Sequence, residues 1–127
     1  MAVDEKRVQE LASEAVGALL ADAGCGEAGG RFSYAGVECP RVVADGAARV
    51  LVVERVAAVE GEPGVPPLEL SLDELERMRR CCLAYAAESG AAAGDVRLDV
   101  VSALVGESGD GRPQVRLWHL IGAAWAE

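Results

Sequence analysis

The sequence predicts an α/β fold: one mixed sheet of five strands with two main helices, in the order α-β-β-β-α-β-β. Apolar residues recur at three- and four-residue spacing in two long stretches, the signature of helices that bury one face. Elsewhere, short valine-rich runs alternate with polar residues or become wholly apolar, as strands do. Finally, 51% of the 127 residues are hydrophobic and no spacer is long enough to separate two cores, so residues 1–127 read as a single domain.

The elements follow in order. Asp4 is placed to cap a helix over residues 5–23, with apolar positions Val8, Leu11, Ala12, Ala15 and Leu19 and a left-handed stop at Gly24. After the glycine-rich GCGEAGG, RFSYAG alternates enough for a short strand. A second strand, CPRVVA, runs into an Asp45-Gly46 turn, and RVLVVERV returns as its hairpin partner. Residues 57–70 carry three prolines and two glycines, which predicts a mobile loop.

The next stretch, SLDELERMRRCCLAYAAESG, opens with a capping box from Ser71 to Glu74 and ends at Gly90. Its buried stripe runs through Leu75, Met78, Cys82 and Tyr85 or Ala86. On the outer face Asp73 with Arg77, and Glu76 with Arg80, stand four apart as solvated ion pairs. DVRLDVVSALV becomes wholly apolar, as a strand covered on both faces does. After the turn-rich GESGDGRPQ, VRLWHLI forms the last strand before GAAWAE.

Charge and composition limit the function. The formal net charge of −9 opposes free association with a polyanion, so nucleic-acid binding needs a local basic patch. Lys6 is the only lysine. The four cysteines, Cys25, Cys39, Cys81 and Cys82, form no C-x-x-C pair and have one histidine in the chain to join them, which argues against structural zinc and for packing thiols in a reducing compartment. The charged amino-terminal stretch lacks a secretory apolar region, and no apolar run approaches ~20 residues, so the expected location is the cytoplasm, with no membrane partner.

With these motifs in this order, the sequence resembles the YraN family of small bacterial proteins, which implies a restriction-endonuclease-like fold. SLDELERMRRCCLAYAAESG resembles the family's helix with its basic cluster and L-A-Y-L-like end; VRLDVVSALV resembles its R-F-D-V-V strand; WHLIGAAW resembles its closing histidine and A-F-like ending. RVLVVERV resembles its V-E-V-K-like strand. The resemblance implies a metal site in which an aspartate and a glutamate on adjacent strands hold a divalent cation and a lysine two residues after the glutamate orients the attacking water. Hard cations such as Mg²⁺ take carboxylate oxygens, and residues two apart on a strand share a face.

In that frame Glu54 keeps the glutamate position, but the lysine position is Val56 and the aspartate position is Pro40. The cation has moved to Arg55, which alternation turns to the other face. The helix-borne glutamate of many relatives falls on Ser13, and Glu14, one residue on, is turned by about 100°. The expectation is therefore a catalytically degenerate endonuclease-like protein, a pseudoenzyme without a resident cofactor. One alternative is a nuclease with a rearranged site, Mg²⁺ or Mn²⁺ held by Glu38 and Glu54. Another is an assembly module that contacts a partner, a second copy included, through the region of Trp118 and Trp125.

Ordinary readings stand beside these. Glu54 is equally an acid paired with Arg41 or Arg49 across the hairpin. Arg77, Arg79 and Arg80 suit phosphate contact in a nucleic-acid reading, but Asp73, Glu74 and Glu76 beside them favour self-neutralisation. His119 shares a face with Val115, Leu117 and Ile121 and reads as a hydrogen-bonded packing histidine; Arg97 and Asp99 read as a same-strand pair.

Overall fold

The first helix begins where the Asp4 carboxylate accepts a hydrogen bond from the Arg7 amide at 2.8 Å, filling one of the donors a helix start leaves unpaired. In the computed structural model, which describes residues 4–127, this helix α1 spans Glu5–Asp22 and buries Val8, Ala12, Val16 and Leu20. The stripe is thus rotated slightly from the expected one, with Leu11 and Leu19 on its flanks.

Next come β1 (Gly26–Gly29), β2 (Phe32–Tyr34), β3 (Val37–Cys39), β4 (Arg41–Asp45) and β5 (Ala48–Ala58). Helix α2 (Leu72–Ser89) follows, then β6 (Val96–Glu107) and β7 (Pro113–Trp125). The main sheet has the order β1-β4-β5-β6-β7, with β5 and β6 parallel and the other neighbours antiparallel. Counting only its strands, the succession is one helix, three strands, one helix and two strands.

The identity of the first sheet strand differs from expectation. Gly26–Gly29 takes that place, while the expected RFSYAG strand supplies β2 of a separate two-stranded hairpin with β3. Two local features explain this. Ala35 (φ 55°) and Gly36 (φ 78°) both adopt positive φ between the paired Tyr34 and Val37, the conformation of a tight two-residue hairpin loop. Pro40, which has no N–H to give to a ladder, then separates β3 from β4. The Asp45-Gly46 turn forms as the sequence predicts, with Gly46 at φ 59° and Asp45 paired to Ala48.

The proline-rich segment after β5 is held down rather than mobile. The Ser102 hydroxyl donates to the Pro67 carbonyl at 2.8 Å, the Glu107 amide to the Gly61 carbonyl at 2.7 Å, and Arg55 to the Glu69 carbonyl at 2.8 Å. Gly106 makes this approach possible, because a Cβ there would stand 2.4 Å from the Gly61 oxygen. Pro63 and Pro66 are buried.

The two helices cover opposite faces. Val16 and Leu20 of α1 pack on Val43, Val50, Val52 and Val101, and Val8 and Ala12 on Ala103 and Val105. On the other face Met78, Cys81 and Cys82 of α2 pack on Leu51, Leu98 and Val100, with Val37 and Cys39 of the small hairpin beside them. Phe32 meets Tyr85 edge-on with centroids 5.2 Å apart. The α2 start carries the predicted capping box, Ser71 with Glu74, and Gly90 (φ 76°) closes it in the left-handed conformation. Strand β6, between β5 and β7 and under both helices, is buried along nearly its whole length. Among the described residues no helix is long and apolar enough to cross a membrane.

Candidate functional site

Strand alternation decides which chemistry Glu54 meets. Its neighbours two residues away, Val52 and Val56, pack with α1, whereas Val53 packs in the α2 cluster. Glu54 therefore faces α1. There its carboxylate accepts a hydrogen bond from the Arg41 Nε at 3.0 Å, with the Glu54 side chain only 9% exposed. Arg41 pairs with Val52 in the β4–β5 register, so its side chain reaches diagonally to Glu54.

The same guanidinium then continues to the helix. Arg41 Nη2 donates to both the backbone carbonyl (3.1 Å) and the hydroxyl (3.0 Å) of Ser13. One turn further along α1, a Cβ on Gly17 would lie 3.1 Å from Arg41 Nη1. A glycine inside a helix costs about 0.5–1 kcal/mol relative to alanine, and here it leaves space for the guanidinium. Arg41 thus bridges β5 and α1, joining Glu54 to the residue that stands where the resemblance expects a second acid. A groove of about 530 Å³ runs beside this bridge, between α1 and the β1–β4 edge, with Cys25 along it. Burial, followed by the charge of Asp45, raises the pKa of the Cys25 thiol, so Cys25 supplies the groove with no ready thiolate.

The remaining expected site positions do not assemble around Glu54. Val56 packs with Val8, Ala12 and Ala103 in an apolar cluster, where a lysine would have to displace hydrocarbon. Glu38 lines a small pocket with Val53, Arg55 and Glu74, on the α2 side of the sheet. Glu38 and Glu54 are therefore separated by the sheet, and the two-carboxylate metal site is not formed. Lys6 and Glu14 are exposed on α1. Among the described residues, no group of three or more His, Cys, Asp or Glu side chains is arranged to hold a metal ion.

Arg55, sequence neighbour of Glu54, meets Glu74 of α2 on the opposite face. The Ser71 amide and then the Arg55 guanidinium hold the Glu74 carboxyl below its ordinary pKa. The α2 arginines are self-neutralised: Arg77 lies 3.1 Å from Asp73, and Arg79 and Arg80 each lie 3.6 Å from Glu76. Arg77 also lines the pocket that contains Glu38.

A second carboxylate forms a more deeply buried network. The Asp99 side chain, 1% exposed, accepts from Arg97 Nε at 3.0 Å, from the Gly122 amide at 2.9 Å and from His119 Nε2 at 2.8 Å. Since an ionised carboxylate only accepts, Nε2 of His119 carries the hydrogen in this pair. Arg97 extends to Asp45 at 3.2 Å. Burial works against the Arg97 charge, but Asp99 and Asp45 outweigh it and raise its pKa. Strand β7 bulges here, because Leu98 pairs with Ala124 but Val100 with Leu120, and Gly122 (φ 70°) turns its amide onto Asp99. The Arg97–Asp99 pair thus forms as alternation predicts, and His119 is hydrogen-bonded as expected, to a partner, Asp99, that the sequence did not name.

The chemistry available at Glu54 follows from its partner. A guanidinium is permanently charged and its planar fork matches a carboxylate, so the Glu54 charge is already balanced by a residue of the chain itself. A Mg²⁺ or Mn²⁺ ion does not fit the donors present, because one carboxylate is engaged and the second is across the sheet. Comparison with models of known protein families finds no match for this chain, and comparison with curated proteins finds none either. The YraN resemblance therefore rests on the quoted motifs alone.

Proposed function

We propose that this chain is a catalytically degenerate member of the YraN type, built on a nuclease-like α/β framework without a metal-dependent phosphodiesterase centre. The observation that carries this reading is the Arg41 bridge: a guanidinium bound to Glu54 at 3.0 Å and to Ser13 on α1. A cation of the chain's own takes the charge-balancing role that the family resemblance assigns to a divalent metal. Val56, packed among Val8 and Ala12, supports the reading further, since it leaves the strand without a water-orienting lysine.

Nucleic acid is a disfavoured partner in this reading, because Arg77, Arg79 and Arg80 are matched by acids of their own helix and the net charge is −9. Buried thiols at Cys39, Cys81 and Cys82 fit work in the reducing cytoplasm. The test is incubation of tag-cleaved protein with supercoiled plasmid and single-stranded DNA in Mg²⁺ or Mn²⁺. No nicking is expected. Cutting that disappears in Glu54→Ala overturns the proposal.

A further inference from the structure

The two edges of the main sheet are treated differently. At one end β1 is four residues long and its pairing with β4 is irregular between Glu27 and Gly29; a short, irregular edge gives a passing strand little to pair with. At the other end β7 runs for 13 residues, and no described strand pairs with the side away from β6. Between Gln114 and Leu120 it carries no proline and no bulge, and of the charged side chains that also blunt an edge it has one, Arg116. Its backbone donors and acceptors on that side are a template for one more strand.

We propose that this edge is filled by the β7 strand of a second copy of the chain, antiparallel about a two-fold axis, giving a continuous ten-stranded sheet. Three observations select that occupant. Trp118, Ile121 and Trp125 are 46%, 61% and 41% exposed, and Val65, 78% exposed, stands on the tied-down loop beside the strand, where a pocket of about 600 Å³ opens against Leu117 and Trp118. Residues 113–126 contain no acid in a chain of net charge −9, and carry Arg116 and His119, so two copies meet along this strand without bringing their acids together. Finally, the regular part of the strand is self-complementary: a two-fold centred on Trp118 sets Trp118 against its copy, Leu117 against His119, Arg116 against Leu120 and Val115 against Ile121. No like charges face each other, and the bulge at Gly122 stays outside most of the paired segment.

Sedimentation equilibrium and light scattering on the intact chain over a range of concentrations test this. The expected result is a species of twice the chain mass, with amides of 114–120 exchanging more slowly as concentration rises. Trp118→Asp puts two carboxylates face to face and is expected to weaken self-association by about 30-fold or more, as loss of a hot-spot aromatic does, with far-UV circular dichroism unchanged. Trp118→Phe is expected to retain the dimer. A monomer at every concentration, including one that captures a different protein through β7, overturns the proposal, as does a dimer that a folded Trp118→Asp variant keeps at full strength.

Discussion

Glu54 and Asp99 lie on the same face of neighbouring parallel strands, where Asp99 pairs with Val52, and each meets an arginine. Their surroundings differ. Asp99 is sealed under the sheet's cover with Arg97, His119 and the Gly122 amide, all its partners coming from β6 and β7. Glu54 has one arginine, Arg41, which lines the groove and ties Glu54 to a different layer through Ser13 of α1. The first arrangement satisfies a buried charge and fixes a bulge. The second balances the charge of a largely buried acid with an arginine from the neighbouring strand. Asp99 is held by several donors at once, whereas Glu54 depends on a single guanidinium that is itself fixed to Ser13.

The sharpest way to break the comparison is at Asp99. Asp99→Ala leaves Arg97 and His119 without their shared acceptor in a buried position, and unfolding in urea is expected to show a loss of about 3–5 kcal/mol. A loss under about 1 kcal/mol would mean that the network behaves as a surface pair does. Arg41→Ala is expected to cost less, about 1–3 kcal/mol, the penalty of leaving a largely buried acceptor unpaired. Restoring stability by adding Glu54→Gln to Arg41→Ala would show that the unpaired charge is the cause.

Gly17 separates the two sites more finely. An added methyl improves the helix but meets Arg41 Nη1 at 3.1 Å. Gly17→Ala is therefore expected to be nearly neutral alone and to stabilise the Arg41→Ala variant by about 0.5–1 kcal/mol, as read in thermal or chemical melts. Equal effects in both backgrounds would mean that the guanidinium does not sit over that turn.

The smallest effect lies on the opposite face. Glu74 has a folded pKa below its ordinary value, so its contribution is present at neutral pH and is lost as pH falls through the ordinary carboxylate range and then through the depressed folded value. Glu74→Ala is expected to lower stability at pH 7, through loss of its half of the capping box, and to cost progressively less on acidification. A cost that grows as pH falls would contradict the assigned hydrogen bonds from Ser71 and Arg55.

Much of this was legible in the sequence. The five-strand count, four of the five sheet strands, both long helices and the ion pairs of α2 follow from periodicity, capping residues and four-residue spacing. Alternation alone placed Arg97 with Asp99, and turned Arg55 away from Glu54. The Asp45-Gly46 turn set the β4–β5 register closely enough to bring Arg41 near Glu54; Arg49, the other expected partner, lies on β5 itself, five residues from Glu54 and on the opposite face.

What stayed hidden depends on how elements meet. The role of Ser13 and Gly17 requires the rotation of α1 over the sheet, which no local pattern encodes, although a glycine within an otherwise alanine- and leucine-rich helix was a signal. The β2–β3 hairpin was missed because Ala35, a residue with no preference for positive φ, shares its turn with Gly36. The proline-rich segment read as mobile because its anchors, Ser102 and Gly106, lie on a strand 35 or more residues away.

The central claim, that Arg41 holds Glu54 in place of a metal ion, is tested most directly by titrating Mn²⁺ into isotope-labelled protein and following paramagnetic broadening of the backbone amides. The account predicts no selective broadening at Ser13, Arg41 or residues 53–55 in the wild-type chain. Broadening centred on those residues at low Mn²⁺, removed by Glu54→Ala, would contradict it.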